Sequence, residues 1–150
     1  MAEFEAEVDY REWDIAMRAL ATRMLRSTHA AGRDSMYLIE RNWKFYLRTF
    51  THREGTPTPS PRGGPPALVT GNLIRSWRNE RPTVGTKPYT VETGGGPTAV
   101  YARIQELSGM TGRGHQTFIP KRPHVRPMVL VSRRGVRRIH VDAWTAAIRG

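Results

Sequence analysis

The sequence contains no cysteine, and this absence excludes disulfide bonds and thiolate metal sites. It also contains no long apolar run, because charged residues interrupt every hydrophobic stretch. We therefore expect a chain without a membrane span or a secretory signal, made in a reducing cytosol. Its 150 residues are enough for one domain with a buried core, but not for two such cores.

Carboxylates are scarce in the second part of the chain. Residues 1–50 hold eight basic and eight acidic residues, whereas residues 51–150 hold sixteen basic and only five acidic ones. Residues 51–150 therefore carry the whole net charge of +11, and 21 of the 24 basic residues are arginine, which pairs bidentately with carboxylate or phosphate. A basic region of this size attracts a polyanion, either nucleic acid or an acidic protein surface.

Residue types that form catalytic and metal sites are too scattered here to make one. The five histidines lack the i,i+4 spacing of a zinc-binding helix and have no cysteine partner. The carboxylates are not clustered as a two-metal nuclease requires, and the glycines at 94–96 precede no lysine-bearing helix of a phosphate-binding loop. We therefore predict that the chain is not an enzyme and has no catalytic, metal or cofactor site.

Residues 1–50 form the helical region of the predicted α+β domain. Apolar residues recur there at three- and four-residue steps, which is typical of a helix face buried in a core or in a subunit contact. The first stripe is Trp13, Met17, Leu20, Met24 and Ala31, and the second is Met36, Ile39, Trp43, Tyr46 and Phe50. The sequence Gly-Arg-Asp-Ser at 32–35 separates the stripes and is expected to break or bend the helix.

Residues 51–67 are rich in proline and glycine. Such a segment can neither continue a helix nor form a central strand, so we predict a connector loop. Its Pro-x-Pro spacing is weak evidence for a polyproline ligand. We interpret it as a plain linker that a neighbouring chain can order.

Residues 68–150 are predicted to form the compact α+β part of the same single domain, beside which the long N-terminal helical segment packs. The expected elements are a helix that Thr70 caps and that ends at Trp77, two strands within 81–93, a turn at 94–97, a helix over 99–107, a mobile loop over 108–117, a strand at 118–119 and a last helix from about Met128. Gly135 weakens the last helix by roughly 1 kcal/mol relative to alanine and can break it.

Apolar residues on three of these short elements are expected to share one core, because the elements have little else to pack against. They are Leu73, Trp77, Tyr101, Ile104 and Trp144.

Three motifs follow one another in this compact part: TGNLIRSW at 70–77, YARIQEL at 101–107 before a glycine-rich segment, and RPHVRPM at 122–128. In this order they resemble the small neck, or tail-completion, proteins that join head to tail in long-tailed bacteriophages. The matching residues are Thr70, Gly71, Leu73, Ser76, Tyr101, Ala102, Glu106, Leu107, Arg122, Pro123, Arg126 and Pro127. Ser108 is a departure, because the family usually has glycine directly after the residue that corresponds to Leu107.

The resemblance implies a structural virion protein of the phage neck, assembled in the cytoplasm of the bacterial host. It implies a homo-oligomeric ring around the DNA channel, with six copies favoured and twelve as the alternative. Its partners would be neighbouring connector and tail proteins, with non-specific contact to genomic DNA. A tail terminator or a connector adaptor fits the same motifs. The basic region alone would instead allow a sequence-independent nucleic-acid-binding protein, although stacking aromatics and a known DNA-binding motif are missing.

Particular motif residues also carry expectations. We expect Glu106 either to pair with Arg122 or Arg126, which the family resemblance suggests, or to be an exposed surface glutamate. Arg122 and Arg126 are expected to be structural and to pair with Glu106 or with a neighbouring subunit. Pro123 and Pro127 are expected to hold the backbone extended before the last helix. Residues of the two loops, 51–67 and 108–117, are candidates for contacts between subunits. They are Pro57, Pro59, Pro61, Arg62, Gly112, Arg113 and His115.

Overall fold

The computed structural model describes residues 10–51, 60–86 and 90–149. The helices in these ranges are α1 (Arg11–Leu47), α2 (Asn72–Arg75), α3 (Ala102–Leu107) and α4 (Arg126–Arg149). The strands are β1 (Trp77–Asn79), β2 (Thr83–Val84), β3 (Val91–Glu92), β4 (Gly95–Pro97), β5 (Gly109–Thr111) and β6 (Thr117–Ile119), and a short 3-10 helix spans Arg113–His115. The predicted α+β class is confirmed.

Helix α1 is continuous over 37 residues, so the predicted break at 32–35 is wrong, while the alternative of a bend there stays a prediction. Gly32 and Ser35 are buried on the helix instead of ending it. A Cβ added at Gly32 would lie 3.6 to 3.7 Å from the side chains of Thr93 and Pro82. Packing of this kind offsets the weak local preference of glycine and serine for other conformations.

Helix α4 packs along α1 in the antiparallel direction. The side-chain amide of Asn42 donates to Ser132 Oγ at 2.8 Å, and the indole N–H of Trp144 donates to Thr28 Oγ1 at 3.0 Å. Residue numbers therefore rise along one helix as they fall along the other. This long helix pair is the largest packing contact among the described elements.

Gly135 packs against Leu38 of α1. A Cβ at this position would come within 2.6 Å of Leu38 Cδ2, so the end of that leucine side chain would have to move. The predicted break at Gly135 is therefore wrong, because helix packing holds the glycine in regular helix. Helix α4 also begins at Arg126, slightly before the predicted start near Met128.

The strands form three separate antiparallel pairs: β1 with β4, β2 with β3, and β5 with β6. The two strands predicted within 81–93 are confirmed as β2 and β3. The turn predicted at 94–97 is wrong, because most of it is strand β4. The loop predicted over 108–117 is also wrong, because β5 and β6 form a hairpin around the 3-10 helix. Ladder hydrogen bonds join backbone groups, so glycine-rich segments can pair although the backbone freedom of glycine favours turns.

The described part of the connector, residues 60–67, contains no helix or strand, as predicted. At its end the Leu68 N–H donates to the Phe50 carbonyl at 2.9 Å. The connector therefore returns to the C-terminal end of α1. Pro57 and Pro59 lie outside the described residues.

Helix α2 is a single turn, and the prediction that it continues to Trp77 is wrong. The Ser76 N–H and hydroxyl both donate to the Leu73 carbonyl, at 3.0 and 2.7 Å, and so end the helix. Gly71 precedes the helix in a left-handed conformation (φ 75°), which favours glycine. Thr70 does not cap as predicted, since its hydroxyl makes only a 3.5 Å contact with the Asn72 N–H.

The core lies between the C-terminal half of α1 and the elements that follow the connector. Its buried members are Met36, Trp43, Leu47, Leu73, Ile74, Trp77 and Ala102. The ring centroids of Trp43 and Trp77 are 4.8 Å apart, which places this aromatic pair at the centre of the core.

The predicted core is confirmed for Leu73 and Trp77, while Ile104 is only half-buried. It is wrong for Tyr101 and Trp144, each of which is 41% exposed. Trp144 lies at the edge of the helix pair, where its N–H is bonded to α1, and Tyr101 lines a surface cavity. Neither long helix in the described ranges has an apolar stretch sufficient to cross a membrane.

Candidate functional site

Glu106, near the end of α3, joins that helix to the start of α4. Its Oε2 accepts hydrogen bonds from the backbone N–H groups of His124 and Val125 at 2.6 and 2.9 Å, and its Oε1 accepts one from Arg126 at 3.1 Å. The first N–H groups of a helix have no partner within the helix. Glu106 therefore stabilises the N-terminus of α4 from a distant position in the sequence.

Both predicted environments of Glu106 are wrong. With Arg126, the carboxylate forms a hydrogen bond to the backbone N–H and not to the side chain. Among the described contacts it makes no ion pair with the side chain of Arg122 or Arg126. The Glu106 side chain is also only 18% exposed, so it is not a surface glutamate. An anion at a helix N-terminus is favourable without an arginine partner, because the N–H groups and the helix dipole supply positive charge.

His124 completes the cluster. Its imidazole is fully buried, and Nδ1 lies 3.0 Å from Glu106 Oε2 and 3.2 Å from the Arg122 carbonyl oxygen. Nε2 has no hydrogen-bond partner in the part of the chain that the structure describes. A proton on Nδ1 leaves Nε2 as an acceptor, whereas a charged ring would bury an unpaired N–H there. The neutral Nδ1–H form fits the site.

Sequence reasoning missed this role of His124, since a search for metal-binding spacing ignores a single histidine. The available signal was its position inside the Arg-Pro-His-Val-Arg-Pro segment, directly before the final helix. A group of three or more histidine, aspartate and glutamate side chains suited to a metal ion does not occur among residues 10–51, 60–86 and 90–149.

The surroundings lower the pKa of both groups. Burial lowers the pKa of His124 more than its bond to the Arg122 carbonyl and the charge of Glu106 raise it. Burial raises the pKa of Glu106, but the three backbone N–H donors and His124 together outweigh this effect.

We expect the free energy of unfolding to decrease as the pH is lowered from 7 to 4. Because both pKa values are lower in the folded chain, the unfolded chain takes up protons first. The contribution of each group to the free energy of unfolding is complete above its ordinary pKa, which is 6.5 for His124 and 4.5 for Glu106. This contribution is lost as the pH falls through the lowered pKa of the folded chain. The loss from His124 therefore comes first. Urea-unfolding midpoints measured across this pH range test the order.

His124→Asn should remove the part of this decrease that starts near the ordinary histidine pKa. His115→Asn is the matched control, because His115 is exposed and its backbone φ of 53° suits asparagine. The control should keep the full decrease. An equal slope between pH 7 and 5 in wild type and His124→Asn would contradict the assignment.

Arg122 lies on the other side of the same segment and is buried, with 8% of its surface exposed. Its Nε donates to the Ser60 carbonyl at 3.2 Å, and its Nη1 lies 3.4 Å from Gln105 Oε1. Its backbone N–H also donates to the Gln105 carbonyl at 2.7 Å. The side chain lines a cavity of about 260 Å³.

Six of the twelve motif residues line this cavity or are buried in the core. Those that line the cavity are Thr70, Gly71, Leu73, Tyr101 and Arg122. Ala102 is buried in the core. Pro127 lies in the first turn of α4, where a missing N–H is tolerated, so the prediction that it precedes the helix is wrong.

Ser108 follows α3 with φ 71° and ψ 165°, a conformation found almost entirely in glycine. A serine held there costs roughly 1–3 kcal/mol of strain. The backbone directly after Leu107 therefore has a conformation that suits glycine better than serine.

The described candidates for contacts between subunits lie on the surface. Pro61, Arg62, Gly112, Arg113 and His115 are all exposed. Their contact with neighbouring subunits stays a prediction.

Helix α1 continues beyond the end of α4 as an exposed segment, residues 11–23, which we name the N-terminal arm. Thr28 lies opposite Trp144, so the end of α4 lies opposite about residue 23. The arm is roughly 20 Å long at 1.5 Å per residue. Residues 11–19 are exposed throughout.

One face of the arm is apolar. Trp13, Met17 and Leu20 occur at helical spacing in line with Thr28 and Asn42, the α1 residues that contact α4. Trp13 is 64% exposed and Met17 is 43% exposed. The surface that α4 covers along α1 therefore extends uncovered along the arm.

The molecule is thus an α+β protein with an internally capped final helix, a buried arginine beside a cavity, and a projecting apolar arm. Comparisons with family models, curated proteins and solved structures gave no match to this chain.

Proposed function

We propose that this chain is a structural protein of the neck of a long-tailed bacteriophage, where copies form a ring around the DNA channel. The ordered motifs at 70–77, 101–107 and 122–128 support the family. The observation that carries the ring is the N-terminal arm, because its apolar face is left exposed by the described residues of its own chain.

The outer face of α4, the side turned away from α1, offers a complementary surface on a second copy. Its exposed residues at helical spacing are Leu130, Arg134, Arg137, Val141 and Ile148. The arm presents apolar residues together with Glu12 and Asp14 in the first turn of α1. Contact between two different surfaces is heterologous and closes into a ring when the rotation allows. Six copies are favoured, and twelve are the alternative.

Exposed arginines on α4 fit the passage of DNA through such a ring. Arg133 and Arg138 are exposed and do not belong to the surface proposed to contact the arm. Arginine contacts to phosphate position DNA without reading its bases. Any affinity for DNA should therefore be independent of sequence and fall steeply with salt.

The arm can be tested by replacing both Trp13 and Met17 with serine. We expect association between subunits to weaken at least about tenfold, because each buried side chain of this size contributes roughly 1.5–3 kcal/mol and 1.4 kcal/mol is a factor of ten. Analytical ultracentrifugation of the full chain over a concentration series measures the change.

Ile15→Ser is the matched control, because Ile15 is on the opposite side of the same arm and is 62% exposed. It should leave association nearly unchanged. A double variant that assembles as well as wild type would contradict the role of the arm.

The function itself is tested in virions. We expect mass spectrometry and imaging to locate the protein at the neck of purified particles, and deletion of its gene to leave heads and tails unjoined. Absence from virions, or normal joining without the protein, would overturn the proposal.

A sequence-independent nucleic-acid-binding protein is the second candidate, and the exposed arginines of α4 favour it. Asp142 is the only carboxylate in the sequence of α4, and its Oδ2 lies 3.7 Å from Arg138 Nε. A chain that stays monomeric, binds DNA tightly at low salt and is missing from virions would establish this reading. A tail terminator or connector adaptor would also occupy virions, but at a different boundary of the neck.

A further inference from the structure

Arg122 is a buried cation without a counter-ion in the described part of the chain. The acceptors of its side chain are neutral: the Ser60 carbonyl and the Gln105 amide oxygen. None of the described ion pairs includes it. The neighbouring carboxylate of Glu106 is already bonded to three backbone N–H groups and His124. Removing a guanidinium from water is unfavourable unless a carboxylate or phosphate pairs with it.

The cavity beside Arg122 has room and hydrogen-bond donors for such an anion. Its volume of about 260 Å³ exceeds that of a single water, roughly 30 Å³, several-fold. Gln105 turns its oxygen towards Arg122, so its amide N–H groups remain as donors. Pro66 and Leu68 supply apolar walls suited to the methylene groups of a side chain.

We propose that this cavity binds the carboxylate of an aspartate or glutamate from the N-terminal segment of a second copy of the chain, with Arg122 as its cation. This segment, residues 1–14, holds six acidic residues and one basic residue. The inference rests on the proposed ring, because the occupant comes from a neighbouring subunit.

The length of α1 excludes the same segment of the chain's own copy. The cavity lies near the C-terminal end of α1, because Leu68 lines it and bonds to Phe50. The 37 residues of α1 place its first residue roughly 54 Å from its last at 1.5 Å per residue. The nine residues before Tyr10 span at most about 30 Å when fully extended. They cannot return to their own cavity.

The test measures binding of a synthetic peptide of residues 1–14 to the full chain in which the six acids of that segment are replaced by their amides. We expect saturable binding by fluorescence anisotropy, and at least tenfold weaker binding when Arg122→Gln or Arg122→Lys is added to that chain. A peptide with amides in place of its six carboxylates should also bind at least tenfold more weakly. Arg62→Gln is the matched control, because Arg62 is an exposed arginine on the nearby connector, and it should bind like the parent.

Two variants at Arg122 separate binding from folding. A folded variant is one that keeps the helical circular dichroism of the parent, and if Arg122→Gln fails this criterion, Arg122→Lys decides. Equal peptide affinity in a folded Arg122 variant would overturn the proposal. Peptide binding that occurs only after Glu54→Gln would also overturn the proposal, since the chain's own connector would then supply the carboxylate to Arg122. Binding of acetate or inorganic phosphate at Arg122 without binding of the peptide would overturn it as well.

The outcome is distinguishable from failure of the proposed function. A chain that forms rings through the arm but does not bind the peptide loses only the cavity assignment. A chain that binds the peptide but is absent from virions keeps the site and loses the neck assignment.

Discussion

Replacing Trp43 with alanine is expected to lower the free energy of unfolding by about 3–5 kcal/mol. Trp43 has no exposed surface, and its ring lies 4.8 Å from Trp77 and 6.1 Å from His124 between ring centroids. Its indole N–H makes no hydrogen bond within the described residues, so the loss comes from apolar contacts and the cavity that remains. Urea unfolding followed by circular dichroism measures the change.

Trp13→Ala is the matched control, because it removes the same side chain from the same helix at a position 64% exposed. At a protein concentration too low for assembly, we expect a change within about 0.5 kcal/mol. Equal losses in the two variants would show that Trp43 is not at the centre of the core.

Replacing Glu106 with alanine is expected to lower the free energy of unfolding by about 2–4 kcal/mol, since three backbone N–H groups lose a charged acceptor. Glu106→Gln should lose less, because its amide keeps one acceptor oxygen but not the charge. Amide hydrogen exchange at His124, Val125 and Arg126 should accelerate in both variants. Unfolding and exchange can be measured on the same samples.

Asp142→Ala controls for the loss of a carboxylate in general. Asp142 is on the surface with its side chain 69% exposed, and its pairing with Arg138 contributes at most about 1 kcal/mol. If Glu106→Ala costs no more than this control, or if exchange at the start of α4 is unchanged, the capping role is wrong.

Long periodic patterns predicted the fold well. The apolar spacing of the N-terminal region indicated helix, and α1 covers most of it. The predicted helix break at 32–35 was wrong, because local residue preferences do not include the packing of Pro82 and Thr93 against Gly32. Gly135 repeats the lesson, since its neighbour Leu38 is nearly a hundred residues away. In both cases packing between distant elements decides the local conformation.

The candidate site was predicted by residue but not by partner. Motif comparison selected Glu106 and Arg122, and opposite charges suggested a pair. Every residue type except proline has a backbone N–H, so a sequence does not show which of these groups will act as donors. They converge on Glu106 because α4 starts at Arg126. Because those donors already bind the carboxylate, Arg122 instead contacts the Ser60 carbonyl and the Gln105 side chain.

Periodicity also identified faces without showing what covers them. Trp13 and Trp43 belong to similar stripes of the same helix, yet one is 64% exposed and the other is fully buried. Trp13 is exposed because α4 ends before it, whereas Trp43 is covered by Trp77 and His124. No local pattern in α1 contains these partners.

The pairing of α1 with α4 sets an order of events during synthesis on the ribosome. The hydrogen bond between Thr28 and Trp144 joins residues 116 positions apart, so the N-terminal helix is made well before the helix that covers it. At translation rates of roughly 5–20 residues per second, the interval between residue 47 and residue 149 is about 5–20 seconds. Throughout that time the face of α1 that contacts α4 remains uncovered by α4. It is accessible to chaperones or to the same helix on a neighbouring nascent chain.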